Sequence, residues 1–320
     1  MTTVSAQEKR VSPYSCTKSC RIICENGMWK VPDGVEMCSE IPLGDVQRIK
    51  QGAKHREFLC IRVSDYEQKS FDIIYRAGVQ SIPWIHIIVG RGASLTLQEK
   101  IEIHSSIDSL CTVSIEEEGV LSRTVTEAFI PRAEGRFVFQ AFLGKRASLA
   151  CCSATVLPFS TRISEIFLEG EDSTARHASL SLAGKGKEHR EGVKIEHLGT
   201  KSSSSQLFKG VVAGSSHIES DVIIRAQGSK SQQLSRFLAI DSGAKTSNKP
   251  NLNVFADDVE ATHGATTGEI DKDLIWYLKS RGLSEKEALS LCVKGFCKEI
   301  IDLLPNKKLL ERDLEEMLHG

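Results

Sequence analysis

Residues 137–198 contain four short runs that are rich in strand-forming residues, FVFQAFL (137–143), ISEIFL (163–168), ASLSL (178–182) and VKIEHL (193–198). Several runs alternate apolar and polar residues with a period of two, which is typical of half-buried β-strands. Clusters of Gly, Ser, Asp and Lys such as EGEDS, AGKGKEHREG and GTKSSSS lie beside the runs and indicate turns. This segment therefore predicts consecutive strands with no helices between them.

The same pattern extends over residues 58–262, where helical periodicity is almost absent. The close spacing of the strands excludes alternating βαβ units, but a sandwich, a propeller and a parallel β-helix all fit the composition. A β-helix with about 20 residues per coil would have about ten coils. The further runs are FLCIRV (58–63), SFDIIY (70–75), WIHIIV (84–89), SLTL (94–97), KIEIHS (100–105), DVIIRA (221–226) and NLNVFA (251–256).

The overall composition is that of a folded protein without a dominant charge. The chain has 320 residues, of which 40% are hydrophobic, and its 41 Lys and Arg nearly balance 42 Asp and Glu. This balance predicts neither a nucleic-acid partner nor a membrane partner. The N-terminus has no apolar signal region, and no stretch approaches the roughly 18 apolar residues of a membrane span. We therefore expect a cytoplasmic protein with reduced cysteines.

Helical patterns begin near residue 268. Residues 271–280 carry apolar residues on one helical face, and Gly282 is a suitable residue to end that helix. Ser284 and Glu287 form a capping box, which predicts the start of a second helix that runs up to the proline at position 305. A third amphipathic stretch covers residues 309–318. Short terminal helices of this kind need packing against the β-rich body to be stable.

The cysteines give only a weak indication of a metal site. Cys16, Cys20 and Cys24 have the spacing C-x3-C-x3-C, which matches none of the usual ferredoxin spacings. Packing as small apolar side chains is therefore the preferred interpretation. Cys151 and Cys152 are neighbours, so on a strand they point to opposite faces and do not form one metal site.

Motifs for catalysis are missing from the sequence. It contains no GxxxxGK[ST], HExxH or GxSxG pattern, so any ATP hydrolysis needs another subunit. Asp257 and Asp258 are adjacent acids, but neighbours on a strand face opposite ways, and a glycosidase needs two carboxylates across one substrate. A solvated turn explains the pair better. We predict that the chain is not an enzyme, and a β-helix carbohydrate-active enzyme is the less favoured alternative.

His263 is the best candidate ligand in the sequence. It lies in ATHGATTG (261–268), where the β-rich body meets the helical tail. Its neighbours are too small to cover an imidazole, so the ring is available to a metal.

Residues 197–304 contain a series of short motifs, HLGTKSSSSQ (197–206), FKG (208–210), PNLNVFADDV (250–259), HGATTG (263–268), YLKSRG (277–282) and EALSLCVKGF (287–296). Together these motifs resemble the SufB/SufD family of iron–sulfur cluster assembly proteins. No single motif is specific, but the set in this order and spacing is. Between the two branches the sequence resembles SufD, because Gly264 stands where SufB proteins carry Glu, and Leu234 lies near the position of a SufB Cys.

This resemblance implies an all-β fold, a right-handed parallel β-helix with helices after it. The expected organisation is a small N-terminal cap region at residues 1–57, a β-helix core at 58–265 and a C-terminal helical domain at 266–320. It also implies a non-catalytic subunit of the SufBCD scaffold, on which iron–sulfur clusters are built. No tightly bound cofactor is expected in the isolated chain, and iron or a cluster would bind transiently at the interface of the complex.

The resemblance further implies two partners. A SufB-like paralogue would pair with a strand at residues 251–261, so that His263 shares an iron or cluster with a cysteine of that paralogue. A SufC-like ABC-type ATPase would dock on the C-terminal helices. When alone, the chain could pair with itself through the same strand, and a homo-oligomeric structural protein is the main alternative. The residues expected to contact the paralogue are Asn251, Val254, Ala256 and Val259, and those expected in the ATPase docking region are Tyr277, Arg281, Gly282, Gly295 and Phe296.

Overall fold

The computed structural model describes residues 19–26, 28–33, 35, 57–127, 133–305 and 307–319. Much of the expected N-terminal cap, including Cys16, lies outside the described residues. The strands are β1 (Cys20–Glu25), β2 (Met28–Lys30), β3 (Glu57–Val63), β4 (Gln68–Ala77), β5 (Pro83–Val89), β6 (Ser94–Ile103), β7 (Ser106–Ile115), β8 (Val120–Glu127), β9 (Glu134–Leu143), β10 (Ser148–Thr155), β11 (Phe159–Leu168), β12 (Thr174–Ala183), β13 (Glu188–His197), β14 (Ser203–Val212), β15 (Ser215–Ile224), β16 (Lys230–Ala239), β17 (Lys245–Val254) and β18 (Glu260–Glu269). The helices are α1 (Lys272–Ser280), α2 (Glu285–Ile301) and α3 (Lys307–His319).

The strands form a parallel β-solenoid, so the predicted fold class is confirmed and the sandwich and propeller are excluded. Even-numbered strands from β4 to β18 form one sheet, the even sheet, and odd-numbered strands from β3 to β17 form the odd sheet. At one end, the β1–β2 hairpin pairs with β4. The odd sheet has eight strands, one for each turn.

Each turn is longer than the sequence pattern suggested. Glu134 lies beside Phe159, 25 residues further along the chain, and Lys230 lies beside Glu260, 30 residues further along. The expectation of about 20 residues per coil and about ten coils was therefore wrong. Each turn of the solenoid holds two strands of up to ten residues and two connections, so fewer turns fit into the chain.

Alternating side chains from both sheets fill the interior. In β6, Leu95, Leu97, Ile101 and Ile103 are at most 1% exposed, whereas the residues between Leu95 and Leu97, and between Ile101 and Ile103, are only half-buried. Burial of one such side chain contributes about 1.5–3 kcal/mol. The period of two that predicted the strands therefore reflects one face that packs in the core and one that faces outward.

One side of the solenoid carries a column of turns in the left-handed region. The residues that stack there donate backbone N–H groups to the next coil, for example Glu118 to the carbonyl of Lys145 at 2.9 Å and Arg146 to that of Glu171 at 2.8 Å. Asp258 has a φ of 55° and accepts from the N–H of Gly228 at 2.9 Å. The Asp257–Asp258 pair therefore lies in an exposed turn, as predicted.

The serine-rich stretch at residues 202–205 was predicted to be a turn, but it enters β14. The hydroxyls of Ser202 and Ser204 lie 2.8 Å from Nδ1 and Nε2 of His197. They also contact Ser229 and Ser231 of the next coil, at 3.2 and 2.9 Å. Composition suggested a loop, but hydrogen bonds between stacked coils satisfy these hydroxyls inside the solenoid.

The predicted end of α1 and the predicted start of α2 are confirmed, whereas α2 ends at Ile301, before the proline at position 305 up to which it was expected to run. Gly282 follows α1 with a φ of 96°, and its N–H donates to Lys279 at 3.0 Å, while the N–H of Leu283 donates to Leu278 at 3.3 Å. These two bonds are a Schellman motif. Ser284 and Glu287 form the capping box of α2.

Helices α2 and α3 cover the outer face of the even sheet. Val293, Cys297 and Ile300 of α2 pack on apolar residues of β10 and β12, such as Cys152 and Leu180. None of the described helices is long and apolar enough to span a membrane.

Candidate functional site

The two sheets end at β17 and β18, and we call these strands the open end. Each pairs with a neighbour on one side only among the described strands, β17 with β15 and β18 with β16. At the opposite end of the even sheet, the β1–β2 hairpin follows β4. A strand edge with free backbone groups is a template for pairing with another strand.

The backbone of β18 directs alternate N–H groups away from the solenoid. The N–H of Glu260 donates to Ser229 at 3.1 Å, so this residue points toward β16. Because successive residues of a strand point their backbone groups to opposite sides, Ala261, His263 and Ala265 point toward the free edge. In β17 the N–H of Lys245 donates to Gly214 at 2.8 Å, which places Pro250 at a position that faces the free edge. Proline has no N–H, so the edge of β17 is partly blocked and β18 is the more competent edge.

The segment predicted to pair with a paralogue is not one strand. Asn251 and Val254 lie on β17, whereas Ala256 and Val259 lie in the turn before β18. The expectation of a single strand at residues 251–261 was therefore wrong, because the chain turns after residue 254. The turn still presents an apolar surface, since Phe255 is 67% exposed and packs under Arg225, 5.1 Å away.

His263 lies on β18 at the open end and is exposed. Its register partner on β16 is Gln233, which is 2% exposed and points into the solenoid. Neighbours in register point to the same face of a sheet, so the imidazole projects from the inner face of the last turn. The ring is accessible because no described strand follows β18 in the even sheet.

His263 belongs to no cluster of three metal-binding side chains among the residues that the structure describes. Leu234, near which the family resemblance places a SufB Cys, and Gly264, where it places a SufB Glu, are register partners on the outer face. A Cβ at Gly264 would lie 3.5 Å from Leu234. Leu234 and Gly264 therefore lie side by side, and neither residue can bind a metal through its side chain. Within the described residues, no group of three His, Cys, Asp or Glu side chains could hold a metal. One imidazole fits an iron or a cluster only if other ligands come from elsewhere.

Most of the described cysteines pack in an apolar cluster. Cys151 points into the core and Cys152 packs against the helices, so the two face opposite ways as predicted. Burial raises the pKa of Cys151 to about 11 and that of Cys152 to about 12, which keeps both as unreactive thiols. Cys24 is buried in β1 and Cys20 is half-buried.

Helix α1 presents the first half of the expected docking region. It has no buried residue, and Trp276 is 72% exposed. Arg281 lies 5.3 Å from the ring centre of Tyr277, with Gly282 directly after it. A cleft of about 580 Å³ separates α1 from the end of the even sheet, and Trp276 and Lys272 line it. An exposed aromatic patch with basic neighbours is typical of a protein interface.

Helix α2 presents the second half. Phe296 lies above Lys209 of β14, whose Nζ is 5.2 Å from the ring centre. This lysine is 5% exposed, and it donates to the carbonyl of Phe296 at 2.9 Å and to Glu299 at 2.8 Å. Gly295 is exposed, and a Cβ there would meet nothing within 4 Å. Lys209 thus fixes α2 on the sheet, and nothing in the described chain requires a glycine at position 295.

Two residues that contact the candidate site residues were not identified from the sequence, Lys209 beside Phe296 and Gln233 beside His263. Lys209 was visible as the middle residue of FKG, but its contact with α2 depends on packing across 87 residues. Gln233 was one of two adjacent glutamines, and only the strand register shows that it lies beside His263.

The fold and the open end define a class of protein, a β-solenoid with one terminal strand edge that carries an imidazole. A family model described as "SUF system FeS cluster assembly, SufBD core domain" matches residues 73–296. The chain belongs to this SufBD family of iron–sulfur cluster assembly proteins.

Several relatives have moderate sequence identity. The iron–sulfur cluster assembly protein SufD of Escherichia coli is 31% identical over 151 residues, which is 46% of this chain and 36% of that protein. A SufBD family protein of Mycobacterium leprae is 30% identical over 161 residues, 48% of this chain and 18% of that protein. One from Synechocystis is 40% identical over 87 residues, 27% of this chain and 19% of that protein. The chain thus spans less than half the length of these relatives.

Proposed function

We propose that this chain is a SufD-like, non-catalytic subunit of a SufBCD-type scaffold. One observation carries this proposal: the open end combines a free strand edge on β18 with a single accessible imidazole, His263, on the same strand. Pairing of β18 with a SufB-like paralogue would bring the paralogue's thiolate beside the imidazole. Iron or the cluster is then the cargo of the scaffold, held transiently at the interface, and neutral imidazole with thiolate suits iron.

The C-terminal helices are the proposed docking site of a SufC-like ATPase. The sequence has no phosphate-binding loop, so energy from ATP has to come from a separate subunit. The exposed patch of Trp276 and Tyr277 on α1, together with Phe296 and Gly295 on α2, supports this surface.

A homo-oligomer is the second candidate function, because the free edge of β18 can pair with a second copy of itself. The alternatives differ in sizing experiments with and without the SufB-like paralogue. Under the scaffold proposal, the paralogue displaces self-pairing and gives a mixed complex. A self-paired form that persists with excess paralogue would favour the structural protein.

Substitution of His263 with alanine tests the ligand. We expect the His263→Ala complex to assemble normally but to retain much less iron after cluster building, because one donor is removed and the strand is unchanged. Iron and sulfide are measured in the purified three-component complex, beside wild type. Thr262→Ala, on the opposite face of β18, serves as the control. Equal iron content in wild type and His263→Ala would contradict the ligand role.

Substitution of Gly295 with alanine tests the ATPase surface. An exposed glycine inside a helix is about 1 kcal/mol less favourable than alanine, and the structure has room for the methyl group. We therefore expect Gly295→Ala to raise the stability of the isolated chain by about 0.5–1 kcal/mol. The same methyl group should weaken ATPase binding at least about tenfold if the partner approaches the helix backbone there.

Urea unfolding and ATPase titration provide the two measurements for this variant. Glu311→Ala, exposed on α3, is the matched control and should change neither quantity much. If the variant is stabilised but binds the ATPase as tightly as wild type does, the docking surface does not include Gly295.

A further inference from the structure

One column of side chains runs along the inner face of the even sheet and becomes more polar toward the open end. Successive register partners place residues of β4, β6, β8, β10, β12, β14, β16 and β18 in this column. It begins with two apolar residues and ends with three polar residues and an imidazole. In chain order the column is Phe71, Leu97, Arg123, Cys151, His177, Gln206, Gln233 and His263.

The side chain of Gln233 is held in one orientation. Its Nε2 donates to the backbone oxygen of Ser220 at 3.2 Å, to the Ser220 hydroxyl at 3.0 Å and to the backbone oxygen of Asn251 at 3.3 Å. All three acceptors are oxygen atoms of strands β15 and β17 in the odd sheet. Only the nitrogen of the carboxamide can donate to them, so the nitrogen faces the odd sheet. Neighbouring coils therefore define where the oxygen points.

The Oε1 atom of Gln233 is buried and accepts no hydrogen bond within the described part of the chain. A buried acceptor without a donor costs about 1–3 kcal/mol. Such groups are rare in folded proteins, and each needs a physical explanation. The two register partners of Gln233 that carry a donor are Gln206 on β14 and His263 on β18.

His263 is the donor that is free to turn toward this oxygen, because its side chain is exposed. The Nε2 of Gln206 is also buried without a partner, but that side chain is 2% exposed and its Oε1 accepts the Ser220 hydroxyl, which holds it in place. His263 is the register partner of Gln233 on β18, and its neighbours on the same face of β18, Ala261 and Ala265, have no polar group. The Ser235 hydroxyl is also buried without a partner, but it lies in register with Ala265, two residues further along each strand. A histidine that binds a metal through one nitrogen usually donates its other N–H to an acceptor, which fixes the ring.

We infer that Gln233 is the positioning residue of His263. Its Oε1 accepts the ring N–H of His263, fixes the tautomer and turns the other nitrogen outward to the pairing edge. This inference rests on the proposed role of His263 as a ligand. The hydrogen bond forms when the exposed ring of His263 turns toward Oε1, and it is tested in the isolated chain without metal.

The first test is the tautomer of His263, measured from ring ¹⁵N chemical shifts of the isolated chain at one fixed alkaline pH. We expect wild type to hold a single tautomer and Gln233→Met, which keeps the length but lacks the oxygen, to give a mixture. Gln233→Glu retains an acceptor and should restore the single tautomer. Gln206→Met, the same residue type one coil further inside, is the matched control and should leave the ring of His263 unchanged.

The second test is the binding of Co²⁺ by the complex with the SufB-like paralogue. Loss of the acceptor should weaken Co²⁺ binding about 10–100-fold in Gln233→Met and much less in Gln206→Met. A mixture of tautomers in wild type, or a single tautomer in Gln233→Met, overturns the inference. The wild-type spectrum decides the matter even if a variant fails to fold. If only His263→Ala reduces Co²⁺ binding, the ligand role stands and the positioning role fails.

Discussion

Replacement of Arg162 by methionine is expected to destabilise the chain by about 3–5 kcal/mol, because it leaves a buried carboxylate without its partner. The carboxylate of Glu127 is fully buried and forms an ion pair with Arg162, whose side chain is 8% exposed. The second oxygen of Glu127 accepts the backbone N–H groups of Val156 at 3.1 Å and Leu157 at 3.3 Å. The guanidinium also donates to Thr155 at 2.6 Å. One substitution thus breaks a network that links three strands and a turn.

Urea unfolding of Arg162→Met beside Arg136→Met gives the comparison. Arg136 pairs with Asp108 at 2.9 Å, but both side chains are nearly 40% exposed, so this loss should cost less than about 1 kcal/mol. The double variant Glu127→Gln/Arg162→Met should recover part of the stability, because no charge remains buried. Equal destabilisation by the two arginine variants would contradict the buried-charge argument.

Substitution of Ala265 by proline is expected to weaken pairing with the SufB-like paralogue about 100-fold, while the solenoid remains folded. The N–H of Ala265 faces the free edge of β18, so its loss removes no bond to β16. The proline ring would remove a donor and occupy space that the partner's backbone needs. Pro250 already occupies an equivalent outward position on β17, which shows that an edge strand of this solenoid accommodates the residue.

The neighbouring position is the control for this experiment. Thr266 points its N–H toward Arg236 and the rest of β16, so Thr266→Pro should break the internal ladder and lower the stability of the isolated chain. Pairing is measured by sedimentation of mixed chains, and folding by circular dichroism. If Ala265→Pro pairs as wild type does, the partner does not use this edge.

Much of the fold follows from local patterns. The period-two runs predicted strands such as β11 and β13, and the capping box at Ser284 predicted the start of α2. Both depend on residues close in sequence, so composition and spacing suffice. The serine-rich start of β14 was instead predicted to be a turn. Its hydroxyls form hydrogen bonds with His197 and with the next coil, and no local sequence pattern shows those contacts.

The candidate site was likewise predicted only in part from the sequence. His263 was predicted from its small neighbours and from the family resemblance, and the structure places it on the last strand of the even sheet. The pairing segment was expected as one strand, but the turn after Val254 separates it into two edges. Which edge is free depends on the direction of each backbone N–H, and that direction follows from register.

The sequence by itself determined the strand-rich body, the helical tail and the histidine at their junction, because periodicity, caps and small residues act over a few positions. Only the tertiary structure decided the number of coils, the pairing of Glu127 with Arg162 and the position of Gln233 beside His263. Residues that stack in adjacent coils are 25 to 30 positions apart, so no pattern over a few positions of the sequence reveals their contacts. A slip of one residue between two paired strands would turn each buried side chain of the shifted strand outward.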